Sequence, residues 1–230
     1  MEAQEKSEQG SRIVGEIVSL IQQRGYFPGE RLPSERDLAE RFSVGRAAVR
    51  EAVTTLESMR YVERRRGSGI FFCRKPDTAS LETLVLFSDL GLPMDPKVNA
   101  DCVEVRRIIE VQAVALACER RTDEDLRRLD ATLATFWNGE GFAERASEYD
   151  YEFHMAIFRA THNDVLVRIV NPFYIMSKER RLVFFADQQR RKISHKQHMA
   201  MTMAIRDKDP GAATKLMATH IGRVEKYFST

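Results

Sequence analysis

The stretch from Pro33 to Phe72, PSERDLAERFSVGRAAVREAVTTLESMRYVERRRGSGIFF, decides the fold of the first part of this chain. It predicts a short helix, a tight turn, a second helix and a basic β-hairpin. Ser34 and Asp37 have the spacing of a capping box, in which each side chain satisfies a free backbone amide of the other residue, so they mark the start of the first helix. The apolar residues that follow recur at helical spacing and give this helix a buried face.

The second helix presents a basic face. Arg46 and Arg50 are four residues apart and therefore project from the same side of the helix. The small residues Ala47 and Ala48 beside them allow a close approach to another molecule. Two guanidinium groups in this arrangement suit the major groove of DNA, where arginine donates paired hydrogen bonds to guanine or contacts a phosphate.

The segment after the second helix predicts a two-stranded wing. Tyr61–Glu63 and Ile70–Phe72 bracket three consecutive arginines and the sequence Gly67-Ser68-Gly69. Glycines at the tip would let the backbone approach a sugar-phosphate chain. An amphipathic helix pair with a solvated basic face is the plainer alternative, since a run of charge usually means no more. The cap, the turn, the wing and its arginines, in this order, favour DNA binding.

Length and charge set the broad class. The chain has 230 residues, enough for two domains, and a net charge of only +2. Between residues 24 and 75, however, twelve basic residues outnumber seven acidic ones, which fits a DNA-binding surface. The three cysteines lack metal-finger spacing, and neither a signal peptide nor a membrane-spanning run is found. We therefore expect a cytoplasmic protein with no membrane partner.

The first third of the chain resembles a known family. Phe27–Ala39 (FPGERLPSERDLA) and Val44–Ala52 (VGRAAVREA) are similar to the winged helix of GntR-family transcription regulators. Family members usually have Ser or Thr where this chain has Gly45, so here a backbone amide rather than a hydroxyl would meet a DNA phosphate. The motifs and the wing together give the candidate DNA-binding residues Arg36, Gly45, Arg46, Ala47, Ala48, Arg50, Arg66, Gly67 and Gly69.

The pattern along the chain predicts a mainly α protein of two domains. Residues 1–75 form a winged helix-turn-helix of three helices plus a small β-hairpin wing, with residues 1–10 as a flexible leader. Residues 76–97 form a linker that contains a connecting helix. Residues 98–230 read as an all-helical bundle of six or seven helices, because they show no alternating strand pattern of any length.

Several local signals divide the predicted bundle into helices. Thr122 and Asp125 form a second capping box, residues 136–141 predict a loop, and Pro172 predicts a helix boundary. Asp209 followed by Pro210 is a strong start signal for the last helix, because proline is favoured at the first helical position.

The histidines of the second domain have spacings that favour a shared site. Asp150 and His154 are four residues apart on one helix, while His198 and His220 lie about three turns before and after the Asp209-Pro210 break. Three imidazoles and one carboxylate inside a helical bundle would suit zinc, nickel, cobalt, iron(II) or manganese.

The spacing also has a simpler interpretation, in which each histidine is exposed or is a satisfied core residue. His162 has the character of a loop residue. His195, three residues before His198, is either a rival ligand or exposed. Spacing alone leaves these alternatives open.

The second domain resembles the FCD effector domain of the FadR-like subgroup of GntR regulators. Residues 150–154 (DYEFH), His198 and His220 are similar to its metal motif, and residues 105–110 (VRRIIE) to its first helix. The resemblance implies a divalent metal, zinc foremost, with nickel, manganese, cobalt or iron as alternatives, in a cavity where small carboxylates dock. The implied ligands are Asp150, His154, His198 and His220. Arg106 either contacts an effector carboxylate or forms a salt bridge within the bundle.

These features predict a homodimeric repressor that reads a palindromic DNA operator and is modulated by a small organic acid. An enzyme with an open, water-activating metal position is the competing class, but no nucleophile or general-base motif supports it, so the chain is expected not to be an enzyme. An effector-independent DNA-binding protein is the third class, and it would need a second domain without a metal.

Overall fold

The computed structural model describes residues 2–73, 80–92, 96–134 and 143–228. The chain divides into two compact units, Met1–Met94 and Asp95–Thr230. The described residues form eleven helices and one two-stranded antiparallel sheet, which confirms the predicted fold class. Among these described helices, none is long and apolar enough to cross a membrane.

The first unit is a winged helix-turn-helix. Its elements are α1 (Glu2–Arg24), α2 (Glu35–Phe42), α3 (Arg46–Ser58), β1 (Val62–Arg65), β2 (Gly69–Phe72) and α4 (Leu81–Asp89). The predicted capping box of α2 is confirmed, because Asp37 N donates to Ser34 Oγ at 3.2 Å and Ser34 N donates to Asp37 Oδ2 at 3.1 Å. Apolar residues of α1, including Ile13 and Ile17, are buried in one core with Leu56 of α3. This core fixes the orientation of α3, the predicted DNA-reading helix.

The ends of the first unit differ from the sequence prediction. Helix α1 begins at Glu2 and so includes the segment that was expected to form a leader before the first helix. Glu, Gln, Lys and Ala dominate this segment, and all four residue types favour a helix. Helix α4, predicted as a connector within a linker, packs on the winged helix: Phe87 is buried 5.1 Å from the Tyr61 ring, and Thr83 Oγ1 donates to Met59 O at 3.2 Å.

The wing is supported from its outer edge. Strands β1 and β2 pair from Val62 opposite Phe72 to Arg65 opposite Gly69. An isolated bridge between Arg31 and Phe71 adds a third extended segment to β2. Gly69 has φ +112°, and a Cβ there would lie 3.1 Å from Arg31 Nε, so the fold itself requires glycine at this position.

The second unit is a bundle of seven helices within the described residues, which agrees with the predicted six or seven. They are α5 (Pro96–Arg120), α6 (Asp123–Ala134), α7 (Ala143–Ala160), α8 (Asp164–Met176), α9 (Lys178–Phe185), α10 (Gln188–Arg206) and α11 (Pro210–Phe228). The Thr122–Asp125 capping box is present, and α11 begins at Pro210, with Ala212 N donating to Asp209 Oδ1 at 2.9 Å. The predicted loop over residues 136–141 lies outside the described residues. Helices α5, α7, α10 and α11 share the main core.

The predicted boundary at Pro172 is wrong, because α8 runs through this residue. Proline removes one backbone hydrogen bond, but Val170 and Tyr174 on either side are fully buried, and their packing outweighs the loss. The break falls at Ser177 instead. There, Arg181 donates to Tyr174 O and Ser177 Oγ and fixes the turn into α9.

Candidate DNA-binding surface and metal centre

The two arginines of the predicted reading helix lie at its exposed start. Arg46 is the first residue of α3, and its N-cap, Gly45, provides no side-chain cap. Arg50 is exposed, with its Nε 3.3 Å from Glu35 Oε2. Ala47 is exposed as well, which leaves this end of α3 open to a partner.

Other predicted contact residues differ in how they are held. Ala48 is half-buried against the core, so only part of it can face a partner. Arg36 is exposed beside Asp37 and Glu40, at 3.7 and 3.8 Å. Arg36 thus keeps a solvated position on α2.

The three consecutive arginines of the wing have different roles. Arg64 turns inward: it donates to Glu57 Oε2 at 2.7 Å and to Arg50 O at 2.9 Å, and so ties the wing to α3. Arg65 pairs with Glu63 and lies over a wing aromatic ring. Arg66 is exposed at the tip together with Gly67. The tip is thus the part of the wing that can reach a partner, and sequence alone did not separate these three roles.

Four buried side chains converge inside the second unit. Asp150 and His154 come from α7, His198 from α10 and His220 from α11. Nε2 of His220 lies 3.2 Å from Nε2 of His154 and 3.3 Å from Nε2 of His198. Asp150 Oδ1 lies 3.6–3.9 Å from the three Nε2 atoms. The structure thus brings together all four residues that the sequence singled out, in a cluster that could bind a metal ion.

Each of the three histidines has an oxygen atom beside its other ring nitrogen. These are Glu110 Oε2 at 2.6 Å from His154 Nδ1, Gln197 Oε1 at 2.9 Å from His220 Nδ1, and Tyr149 Oη at 3.3 Å from His198 Nδ1. An acceptor beside Nδ1 places the proton there and leaves a lone pair on Nε2. Three such lone pairs within 4.8 Å of one another repel unless a proton or a metal cation lies between them.

Burial favours the neutral form of two histidines of this cluster. Desolvation, followed by the neighbouring imidazoles, lowers the pKa of His198 and of His220 well below the usual 6.5. Burial alone would raise the pKa of Glu110, but Arg106 and His154 lower it to about 2. Neutral imidazoles oriented by acceptor oxygens are the form that binds a metal.

Arg106 forms a salt bridge within the bundle, which is one of the two roles expected for it. Its Nε and Nη2 lie 2.9 and 2.8 Å from Glu110 Oε1, and its guanidinium lies 4.1 Å above the Tyr174 ring. Arg106 also lines a cavity of about 30 Å³ together with Asp150 and His220. It therefore belongs both to the bundle interior and to the wall of a cavity that adjoins the cluster.

Sequence reasoning missed the residues behind the ligands. No role was predicted for Glu110, although it ends the VRRIIE segment, or for Tyr149 and Gln197, although they directly precede predicted ligands. His195 is not a member of the cluster but contacts Tyr149 Oη at 3.2 Å through Nδ1. A hydroxyl that accepts from His198 can therefore donate to His195. His162 instead pairs with the helix-capping Asp125 at 2.8 Å.

A winged helix-turn-helix unit followed by a helical unit with a buried His/Asp cluster defines a DNA-binding transcription regulator. Residues 9–72 match the bacterial regulatory proteins of the gntR family, and residues 101–223 match the FCD domain. The chain belongs to the GntR family, in the group that carries an FCD domain. The family consists of transcription regulators rather than enzymes; its members bind DNA operators and are usually dimers.

Named relatives agree with this assignment, and a solved structure shares the fold. The chain is 30% identical over 214 residues to the galactonate operon transcriptional repressor of Escherichia coli, covering 91% of this chain and 92% of the repressor. It is 33% identical to the transcriptional repressor NanR of Cronobacter sakazakii, covering 91% and 81% of the two chains. Its fold is similar to that of Lar of Listeria monocytogenes, with a TM-score of 0.65 at 18% identity and 96% coverage of both chains.

Proposed function

We propose that this regulator is a homodimeric repressor with a divalent metal ion at Asp150, His154, His198 and His220, and that a small organic acid bound beside the ion modulates operator binding. One observation carries the proposal. Three buried Nε2 atoms converge with a carboxylate oxygen, while an oxygen atom lies beside each of the three Nδ1 atoms.

The spacing of the cluster supports a metal. Ligand nitrogens about 2.0–2.1 Å from a tetrahedral ion lie roughly 3.3 Å apart. The two measured Nε2 separations, 3.2 and 3.3 Å, agree with this value. Three imidazoles and one carboxylate suit zinc first, with nickel, manganese, cobalt and iron as alternatives. When bound, such an ion supplies a Lewis acid that can hold an effector carboxylate.

Arg106 is the proposed second contact for the effector. Its bonds to Glu110 use Nε and Nη2, and the residue lines the cavity beside Asp150 and His220. The galactonate operon repressor, a relative of this chain, is named for an operon of a sugar acid. A carboxylate effector agrees with that name and with the positive charge of the cavity wall.

In the first unit, the exposed Arg46 and Arg50 of α3 are proposed to read bases, supported by Arg36, Gly45, Ala47 and Ala48 and by the wing tip at Arg66, Gly67 and Gly69. A two-fold symmetric dimer would place two such helices on palindromic half-sites. The effector would bind one arrangement of the dimer better and so shift its population. Because the partner is chromosomal DNA, the proposal places the protein in the cytoplasm.

Metal analysis combined with gel shifts tests the proposal. The purified protein should contain a stoichiometric divalent metal and should shift a fragment from upstream of its own gene far better than random DNA. Addition of small carboxylates should change the shift of the metal-loaded protein but not that of chelator-treated protein. A metal-free protein that binds its operator without any response to carboxylates would instead be an effector-independent DNA-binding protein.

A further inference from the structure

The cavity beside the His/Asp cluster has polar side chains at two levels along helix α5. At one level lie Asp150 and His220 of the cluster. At the other lies Arg180 of α9, whose Nη1 donates to Asn99 Oδ1 at 2.9 Å. Asn99 and Glu110, the contact of the cluster's His154, lie about three turns apart along α5. Arg180 and the His/Asp cluster therefore lie beside different turns of α5.

The three arginines of the cavity wall are not equally neutralised. Arg106 is paired with Glu110, and Arg181 donates to Tyr174 O and also lies 4.0 Å from Asp150 Oδ2. In the described part of the chain, Arg180 has no carboxylate within salt-bridge distance, and its hydrogen bond is to a neutral amide.

The surroundings of Arg180 make this lack of a counter-charge costly. The residue is half-buried, and burial, followed by the charge of Arg106, lowers its pKa. A buried charge without a partner is unfavourable. A ligand that brings a second anionic group to Arg180 would remove this cost.

Apart from the charged groups, His220 and Ser177, the lining of the cavity is apolar. It consists of Val103, Phe184, Phe185, Ile221 and Val224. The Ser177 hydroxyl already bonds to Tyr174 O and to Arg181. Hydroxyl groups placed against the apolar side chains would lose their hydrogen bonds to water without replacement. This lining therefore disfavours a polyhydroxylated acid and favours a hydrocarbon spacer.

We infer that the effector is a dicarboxylate with an apolar spacer, with one carboxylate at the metal cluster and the second at Arg180. This inference rests on the proposed metal-anchored effector site. It names a ligand class different from the sugar acid that gives the galactonate operon its name. The cavity of about 30 Å³ has room for about two water molecules, so it must widen when the ligand binds.

Matched pairs of acids test the inference. Calorimetric titration of the metal-loaded full-length protein would compare succinate with butyrate, glutarate with pentanoate and adipate with hexanoate, with gluconate as the sugar acid. At least one dicarboxylate should bind about tenfold or more tightly than its matched monocarboxylate, because a charge-assisted hydrogen bond is added. Arg180→Gln should reduce this ratio to about one without changing metal content or monocarboxylate affinity. Lys178→Gln, which removes the same charge from the same helix outside this cavity, should leave the ratio unchanged.

The outcomes separate the two proposals. Equal affinity for every matched pair, a ratio that survives Arg180→Gln, or tightest binding of gluconate would overturn the dicarboxylate inference and leave the carboxylate site intact. Absence of binding by all the acids would overturn both. Arg180→Lys keeps the charge and should retain part of the preference for a dicarboxylate over its matched monocarboxylate. Thermal melting of each variant shows whether it folds.

Discussion

The candidate DNA-binding surface and the buried His/Asp cluster are both built from strongly polar side chains, but in opposite surroundings. Arg50 keeps 68% of its side chain exposed, and Arg46 is exposed as well. The four cluster residues are at most 5% exposed, and an oxygen atom lies beside the second nitrogen of each of the three imidazoles. The cluster is thus preorganised by the fold, whereas the arginines of α3 remain solvated until a partner arrives. Substitutions at the two places should therefore differ in size and in kind.

The largest effect is expected from removal of two cluster ligands. His198→Ala with His220→Ala leaves two of four donors, so stoichiometric metal should fall to background and the response of DNA binding to carboxylates should disappear. Elemental analysis and a gel shift measure both. His162→Ala, which removes a histidine outside the cluster, is the matched control. Unchanged metal content in the double variant would rule out the proposed site.

Acid should destabilise the metal-free protein through the same residues. The pKa values of His198 and His220 are lowered in the folded state, so the unfolded chain binds more protons below about pH 6.5, and stability falls as the pH decreases. Each histidine contributes a slope of up to about 1.4 kcal/mol per pH unit. Urea unfolding at pH 7 and pH 5 should show this loss, and it should be smaller in the double alanine variant. The first unit contains no histidine, which assigns the effect to the second.

Removal of the exposed arginines should leave the fold intact and weaken DNA binding. Arg46→Ala and Arg50→Ala should each cost about 1–3 kcal/mol on the specific operator if they contact bases. Fluorescence anisotropy with operator and random DNA measures the two affinities, and Arg107→Ala, at an exposed position of the second unit, is the charge-matched control. Equal losses on both DNAs would make the residue a phosphate contact instead.

This comparison also shows what sequence could predict. Signals within one helical turn gave correct results, as in the Ser34–Asp37 and Thr122–Asp125 capping boxes. The four residues of the His/Asp cluster were also singled out, but the contacts that support them were not: Gln197 next to His220 and Glu110 next to His154 are visible only when helices pack. The helix boundary predicted at Pro172 was wrong because the burial of its neighbours in the tertiary structure outweighed the local signal of the proline.

Removal of an oxygen atom that contacts a ligand histidine should reduce metal affinity less than removal of the ligands themselves. Tyr149→Phe removes only the hydroxyl beside His198 Nδ1, and at 3.3 Å this contact is long. We expect metal affinity to fall about tenfold, the lower end for residues that orient a ligand. Competition with a chelating dye measures the change. Tyr151→Phe removes a hydroxyl that bonds to Asn171 instead, and it should leave the affinity unchanged.

The smallest effect is expected at Gly45, the N-cap of the candidate DNA-reading helix α3. As the N-cap of α3, Gly45 has φ −69° and ψ 146°, and an added Cβ meets no atom within 4 Å, so Gly45→Ser fits without strain. A serine hydroxyl can cap a free amide of α3 and should raise the free energy of unfolding by a few tenths of a kcal/mol.

The hydroxyl of the Gly45→Ser variant also tests whether a side chain at the N-cap of α3 contributes to DNA affinity. If a phosphate lies beside it in the complex, affinity for operator and random DNA should rise by the same small factor, about 0.5–1.5 kcal/mol for one hydrogen bond. Urea unfolding and anisotropy separate the two effects. A stability gain without any gain in DNA affinity would indicate that the backbone amide already makes the phosphate contact. A loss of stability would show that the hydroxyl does not cap α3. It would also show that the backbone at position 45 tolerates a side chain less well than the open space around it suggests.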